Sequence, residues 1–298
     1  MIAKLFPDLI SGVWAIKREA AEGYLPLIIS FIKNPVILKE QDFSEERQEY
    51  AKMNGIIMGT NKALEYYEIV DYDGRLKDNI PENSVVTLNI NGVITKYNQF
   101  CGPVGMNTQI ERLQLLDSHH SVAAIMLNID SPGGEGYAAR GMADAIRKTN
   151  KPVIAFINDL AASAAYMIAS LSDEIYANSD MAEIGSIGTY IQVADFRKQL
   201  EDEGIKLHEI YASASVDKNL EYKEAINGNY EPMRQFANSF NDKFIAMVNE
   251  GRDGKLSANE KTWATGKVLF APKALELGLI DGVLSYEETL QTIFENLI

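Results

Sequence analysis

Three short segments carry residue types that could do chemistry. The first is Asp159-Leu160-Ala161-Ala162-Ser163-Ala164-Ala165-Tyr166. It follows an apolar run and opens an alanine-rich helical pattern, so Ser163 would face whatever pocket lies at the end of that strand. The N-terminal end of the helix would favour negative charge there. The second is Ile129-Asp130-Ser131-Pro132-Gly133-Gly134, directly after the most apolar strand pattern. Pro132 stiffens the turn, and the two glycines allow backbone conformations and close approaches closed to other residues. Exposed N–H groups at such a turn can stabilise an oxyanion. The third is Gly185-Ser186-Ile187-Gly188, followed downstream by Lys218 and Lys223. Each segment alone is also compatible with a plain turn or a small packed serine.

A serine is a weak nucleophile until a base takes its proton. The usual base is histidine, and there are three. His119 and His120 sit in the polar stretch Asp117-Ser118-His119-His120-Ser121, which reads as a solvated turn. His208 alternates within an expected strand and reads as structural. Lysine can replace histidine where burial disfavours its charged form. Lys218 lies 55 residues after Ser163 (218 − 163) and Lys223 lies 60 after (223 − 163).

Alternating strands and helices must position these segments. Residues 84–90, 92–97, 122–129, 152–157, 174–178, 189–193 and 206–212 read as strands. Residues 104–117, 136–149, 162–171 and 195–203 read as helices. The continuous apolar run Val122–Ile129 fits a strand buried on both faces. Met233, Phe236, Phe240, Phe244, Met247 and Val248 repeat at helical spacing, a core-packing pattern. Ser257-x-x-Glu260 and Ser285-x-x-Glu288 have the form of capping boxes. Such alternation implies an α/β fold of mostly parallel strands with crossover helices. Residues 1–80 read as an N-terminal arm or small helical region, and residues 81–298 as the main domain.

Composition narrows the function classes. The chain has 298 residues, 28 Lys+Arg against 42 Asp+Glu, and a net charge of −14. So acidic a chain lacks the basic footprint that nucleic-acid binding needs. One cysteine, Cys101, excludes an intramolecular disulfide and multi-cysteine zinc sites. No metal and no organic cofactor is expected, since no phosphate-loop, zinc-protease or dinucleotide fingerprint occurs. The N-terminus reads as neither signal peptide nor membrane anchor, and a cytoplasmic location is expected.

In order, Gly92-Val93-Ile94, the Asp-Ser-Pro-Gly-Gly turn, Ala-Ala-Ser before a helix, and Gly-Ser-Ile-Gly resemble the signal peptide peptidase A family of serine–lysine proteases. Gly251-Arg252 and Ala274-x-x-Leu277-Gly278-Leu279-Ile280-Asp281 are similar to that family's later blocks. The resemblance covers Ser84 to Val283 and implies a ClpP/crotonase-type fold. It implies that Ser163 is the nucleophile and that the N–H groups of Gly134 and Ala164 form the oxyanion hole, with Gly133 shaping the turn. Ser186 would orient the lysine, Lys218 with Lys223 as the alternative. The family usually has glycines after the serine, where this chain has Ala164-Ala165. Its lysine often follows a Gly-x-His/Tyr-Lys pattern, where this chain reads Ser215-Val216-Asp217-Lys218. The absence of an anchor is similar to the phage-type branch, the head or capsid maturation proteases. That implies a polypeptide substrate such as a phage scaffold, capsid or portal protein. It also implies a homo-oligomeric ring in which neighbouring subunits can share the dyad.

Four other readings stand beside the phage-type dyad protease, the first being a cellular peptidase that degrades signal peptides or other proteins. A Ser-His-Asp protease would need His208. A crotonase-type acyl-CoA enzyme would use acidic groups such as Asp130 and Glu135. A non-catalytic relative would serve as a structural or scaffold-docking protein.

Overall fold

The computed structural model describes residues 53–59, 63–70, 76–99, 103–202, 204, 206, 208–257 and 259–297, and the backbone of 14–16. Cys101 lies outside the described residues. A nine-stranded sheet runs through the molecule. Its centre is parallel: β4 (Ser84–Asn91), β5 (Val122–Ser131) and β7 (Val153–Ala162) lie side by side. Along its other edge, β7 pairs first with β8 (Glu174–Ala177) and then with β9 (Glu183–Gly185), both parallel. Antiparallel strands flank this centre. β2 (Asn54–Met58) and β3 (Leu64–Glu68) extend one side, and β10 (Val268–Phe270) pairs β9 on the other. β11 (Gly282–Val283) lies beside β8.

The parallel connections run through α1 (Met106–Ser118), α2 (Gly136–Ile146) and α3 (Ala164–Ala169). Strand alternation explains the continuous apolar run of β5. Ile125, Leu127 and Ile129 join the larger core beneath α1–α3, while Ala124 and Met126 face a second cluster. That second cluster is closed by α9 (Tyr286–Asn296) through Leu290, Ile293 and Phe294. The Ser285/Glu288 capping box starts α9 as expected, with the Ser285 amide 2.8 Å from the Glu288 carboxylate. Ser257 and Glu260 form no such box. Asn259 caps the short α7 (Glu260–Trp263) instead, and Ser257 bonds to the Glu276 carbonyl.

Several expectations are corrected. Where residues 1–80 are described they form strands rather than helices. β2 and β3 belong to the sheet, so a boundary at residue 81 cuts through it. Of residues 92–97 only Ile94 makes a β-bridge. Residues 189–193 give no strand beyond a bridge residue at Tyr190. The described residues of 206–212 pair with nothing in the sheet; His208 is exposed and Ile210 is 94% exposed. A β-favouring sequence without a neighbouring edge has no ladder to complete. α4 (Arg197–Asp202) and α5 (Leu220–Ile226) precede the long α6 (Glu231–Gly251). The apolar stripe of α6 buries Phe244, Met247 and Val248 in the core and packs Phe240 against it, while Phe236 remains 42% exposed. α8 (Ala271–Glu276) follows β10.

Candidate active site

The chemistry-bearing residues gather at the C-terminal ends of the parallel strands, where open α/β sheets place their sites. Ser163 joins β7 to α3 with φ 57° and ψ −117°, a conformation that costs a residue with a side chain free energy. Such a sharp strand-to-helix turn is how a nucleophilic serine is presented. The turn is fixed from both sides. The Ser163 amide donates to the Gly185 carbonyl at 2.7 Å, and its carbonyl accepts from the Met167 amide at 2.9 Å. Ser163 is buried, and its hydroxyl makes no hydrogen bond to a described residue. Ala164 and Ala165 are fully buried in the larger core, so their extra methyl groups pack inward.

The bond to Gly185 brings the Gly185-Ser186 turn beside the serine. Ser186 also has a positive φ, 50°, and its amide donates to the Lys267 carbonyl at 2.7 Å. Thus β9, held by β7 and β10, places Ser186 next to Ser163.

The glycine turn arrives from β5. Ser131, paired with Ala161 across the sheet, is wholly buried. Its hydroxyl donates to the Gly92 carbonyl at 2.6 Å and accepts from the Gly133 amide at 3.2 Å. Beyond it the chain forms β6 (Gly133–Glu135), which packs against α3. The Ile94 amide donates to the Gly133 carbonyl at 2.9 Å, and the Glu135 amide donates to the Ile94 carbonyl at 2.8 Å. Backbone alternation therefore turns the N–H and C=O of Gly134 to the opposite side. A Cβ on Gly134 would lie 2.1 Å from the Ile94 carbonyl oxygen, so only glycine fits.

Sequence reasoning did not reveal what anchors α3. Tyr166, fully buried, donates to the Leu279 carbonyl at 2.6 Å. Burial pushes its phenol pKa up. Nearby, buried Arg252 donates to the Gly278 carbonyl at 3.0 Å and to both oxygens of Asp281 at 2.8 and 3.0 Å. Asp281 also accepts from the Ile175 amide of β8 at 2.8 Å. Burial alone would raise the Asp281 pKa, but the bonds and charge of Arg252 hold it below the usual carboxylate range. The signal in the sequence was the Gly251-Arg252 and Leu279-Ile280-Asp281 pair of blocks, whose contact only the fold displays.

The two lysines stand apart from this arrangement. Lys218 lies in the turn before α5 and Lys223 on α5, and both are exposed. Neither ammonium is hydrogen-bonded or ion-paired to a described residue. Of the acidic alternatives, Asp130 has its pKa raised by burial and then by the Asp159 carboxylate. The Glu135 carboxylate accepts from the Lys96 amide at 3.0 Å. A cavity of about 600 Å³ lies at the other ends of the strands, among Pro152, Val153, Asp173 and Glu250, and includes none of Ser163, Ser186 or Gly134. Among the described residues no helix is long and apolar enough to cross a membrane.

The sequence model of Peptidase family S49 matches residues 145–297, just over half the chain. Protease 4 of Haemophilus influenzae is 27% identical over 244 residues, 78% of this chain and 38% of that protein. Capsid assembly protease C of Escherichia phage lambda is 32% identical over 144 residues, 46% of this chain and 33% of that protein. Head-tail preconnector protein GP5 of Enterobacteria phage P21 is 27% identical over 219 residues, 71% of this chain and 43% of that protein. The chain thus spans less than half the length of each of these three relatives.

Proposed function

The chain belongs to peptidase family S49, and on that premise we propose that it is a serine endopeptidase whose nucleophile is Ser163. The observation that carries this reading is the Ser163 turn, with φ 57° and its amide tied to Gly185, beside the glycine turn of β6. Lys218, or Lys223 in its place, serves as the base in its neutral form. It takes the Ser163 proton as Oγ bonds to the scissile carbonyl carbon. The oxyanion rests on the N–H groups of Gly134 and Ala164, with Gly133 shaping the turn. The C–N bond then breaks, the lysine gives its proton to the leaving amine, and water hydrolyses the acyl-serine ester. Ser186 accepts a hydrogen bond from the lysine and orients it.

A lysine works as a base only when it is withdrawn from water. Both lysines are exposed in the single chain, which favours a homo-oligomer in which a neighbouring copy covers or supplies the base. The exposed aromatic residues Tyr222, Tyr230 and Phe236 around α5 and α6 offer apolar surface for that contact. The similarity to the lambda and P21 proteins supports a role in phage head maturation. The substrate would then be a scaffold, capsid or portal polypeptide in the host cytoplasm or prohead.

The test is labelling with a fluorophosphonate at pH 8–9, with the adduct mapped by mass spectrometry. Wild type, Ser163→Ala, Lys218→Ala and Lys223→Ala are compared. An adduct on Ser163 that disappears in one lysine variant identifies the dyad. A folded, assembled wild type that takes no label would instead favour a structural role.

A further inference from the structure

A three-residue strand, β1 (Trp14–Ile16), runs antiparallel along β6, pairing Trp14 with Glu135, Ala15 with Gly134 and Ile16 with Gly133. The two form a sheet of their own, apart from the nine-stranded one. One side of β6 is taken by Ile94, through the Gly133 carbonyl and the Glu135 amide. Alternation leaves the N–H and C=O of Gly134 for the other side, where β1 lies. The residue opposite them is Ala15.

We infer that Trp14–Ile16 occupies, within its own chain, the edge on which a peptide substrate is held, with Ala15 standing where a substrate residue meets Gly134. That this edge holds a substrate rests on the peptidase reading; its occupancy by Trp14–Ile16 does not. Three structural features carry it. The pairing is extended, antiparallel and without a bulge, the form in which a strand is added to an open edge. The amide it engages belongs to Gly134, where only glycine fits against Ile94. A two-stranded pairing three residues long is weak by itself, so a peptide in trans can displace it. The N-terminal segment is therefore a built-in competitor, and its release precedes peptide binding.

The test uses the full-length chain and Ala15→Pro, which removes the N–H that Ala15 offers to β6. Hydrogen–deuterium exchange is followed in the peptide covering Ser131–Tyr137. The variant should exchange there about tenfold faster than wild type. Ala15→Val, which keeps the N–H, should behave as wild type. A synthetic peptide of residues 11–19, SGVWAIKRE, should restore protection to Ala15→Pro, and the same peptide with proline at its alanine should not. Exchange unchanged by Ala15→Pro overturns the inference, whatever the reactivity of Ser163. Faster exchange in a protein whose Ser163 takes no fluorophosphonate supports the occupancy and removes the peptidase reading. If both hold, Ser163 labelling is several-fold faster in Ala15→Pro.

Discussion

The phenol of Tyr166 reaches 113 residues along the chain to the carbonyl of Leu279, at 2.6 Å. This bond fastens the helix that starts at Ser163 to the segment between α8 and β11. In Tyr166→Phe the ring still fills its space, but the buried carbonyl loses its donor. The expected loss is about 1–3 kcal/mol in chemical denaturation. Fluorophosphonate labelling of Ser163 should slow as well, because α3 loses an anchor. Unchanged stability would mean that water or another donor takes the place of the phenol.

Acid should weaken the same region. Asp281 has its pKa lowered in the folded chain, so its contribution to stability is present above the ordinary carboxylate range. It is lost as pH falls through the folded value. Asp281→Asn should flatten this part of the stability–pH profile. It should also cost about 3–5 kcal/mol at neutral pH, because Arg252 would be left buried beside a neutral partner. Urea melts at several pH values compare the two proteins. A parallel pair of profiles would show that Asp281 is not the group responsible.

Ser163 holds a backbone conformation that glycine adopts more readily. Ser163→Gly should therefore be more stable than Ser163→Ala by about 1 kcal/mol, though neither takes label. Paired denaturation curves decide this. A less stable glycine variant would show that the turn is not strained in solution.

Gly134→Ala puts a methyl group into the Ile94 backbone, and two backbones cannot both yield. A destabilisation of about 1–3 kcal/mol is expected, with loss of Ser163 labelling as β6 shifts away from α3. Thermal melting followed by circular dichroism, alongside labelling, measures both. Normal labelling in a folded variant would argue against a role for the Gly134 N–H.

The sequence made the parallel centre legible because β5 and the first half of β7 are apolar on both faces and β4 is apolar on the face toward the larger core, so burial and composition agree there. The same logic failed for residues 206–212. Their alternation is strand-like, but no sheet edge lies beside them, and Ile210 projects into solvent. Residues 92–97 failed for a related reason: the turn toward α1 leaves only Ile94 in position to meet Gly134. The grouping of Ser163, Ser186 and the glycine turn was anticipated, since all three motifs end or begin at strand termini. The Ser163 dihedral angles and the Tyr166–Leu279 bond were not, because each depends on parts of the chain brought together only by folding. Lysine identity was the least legible step: Lys218 and Lys223 lie 55 and 60 residues after Ser163, and only the family resemblance makes the shorter spacing the preferred one.

The exposure of Lys218 and Lys223 in the single chain has a consequence for where the activity would occur. If, as proposed, Ser163 is the nucleophile and a neighbouring copy withdraws its lysine from water, the rate would depend on crowding. Specific activity would climb with protein concentration instead of staying level, and a copy diluted into bulk solution would be silent. On that proposal the protein would keep time by density, beginning work once enough copies have accumulated in one place.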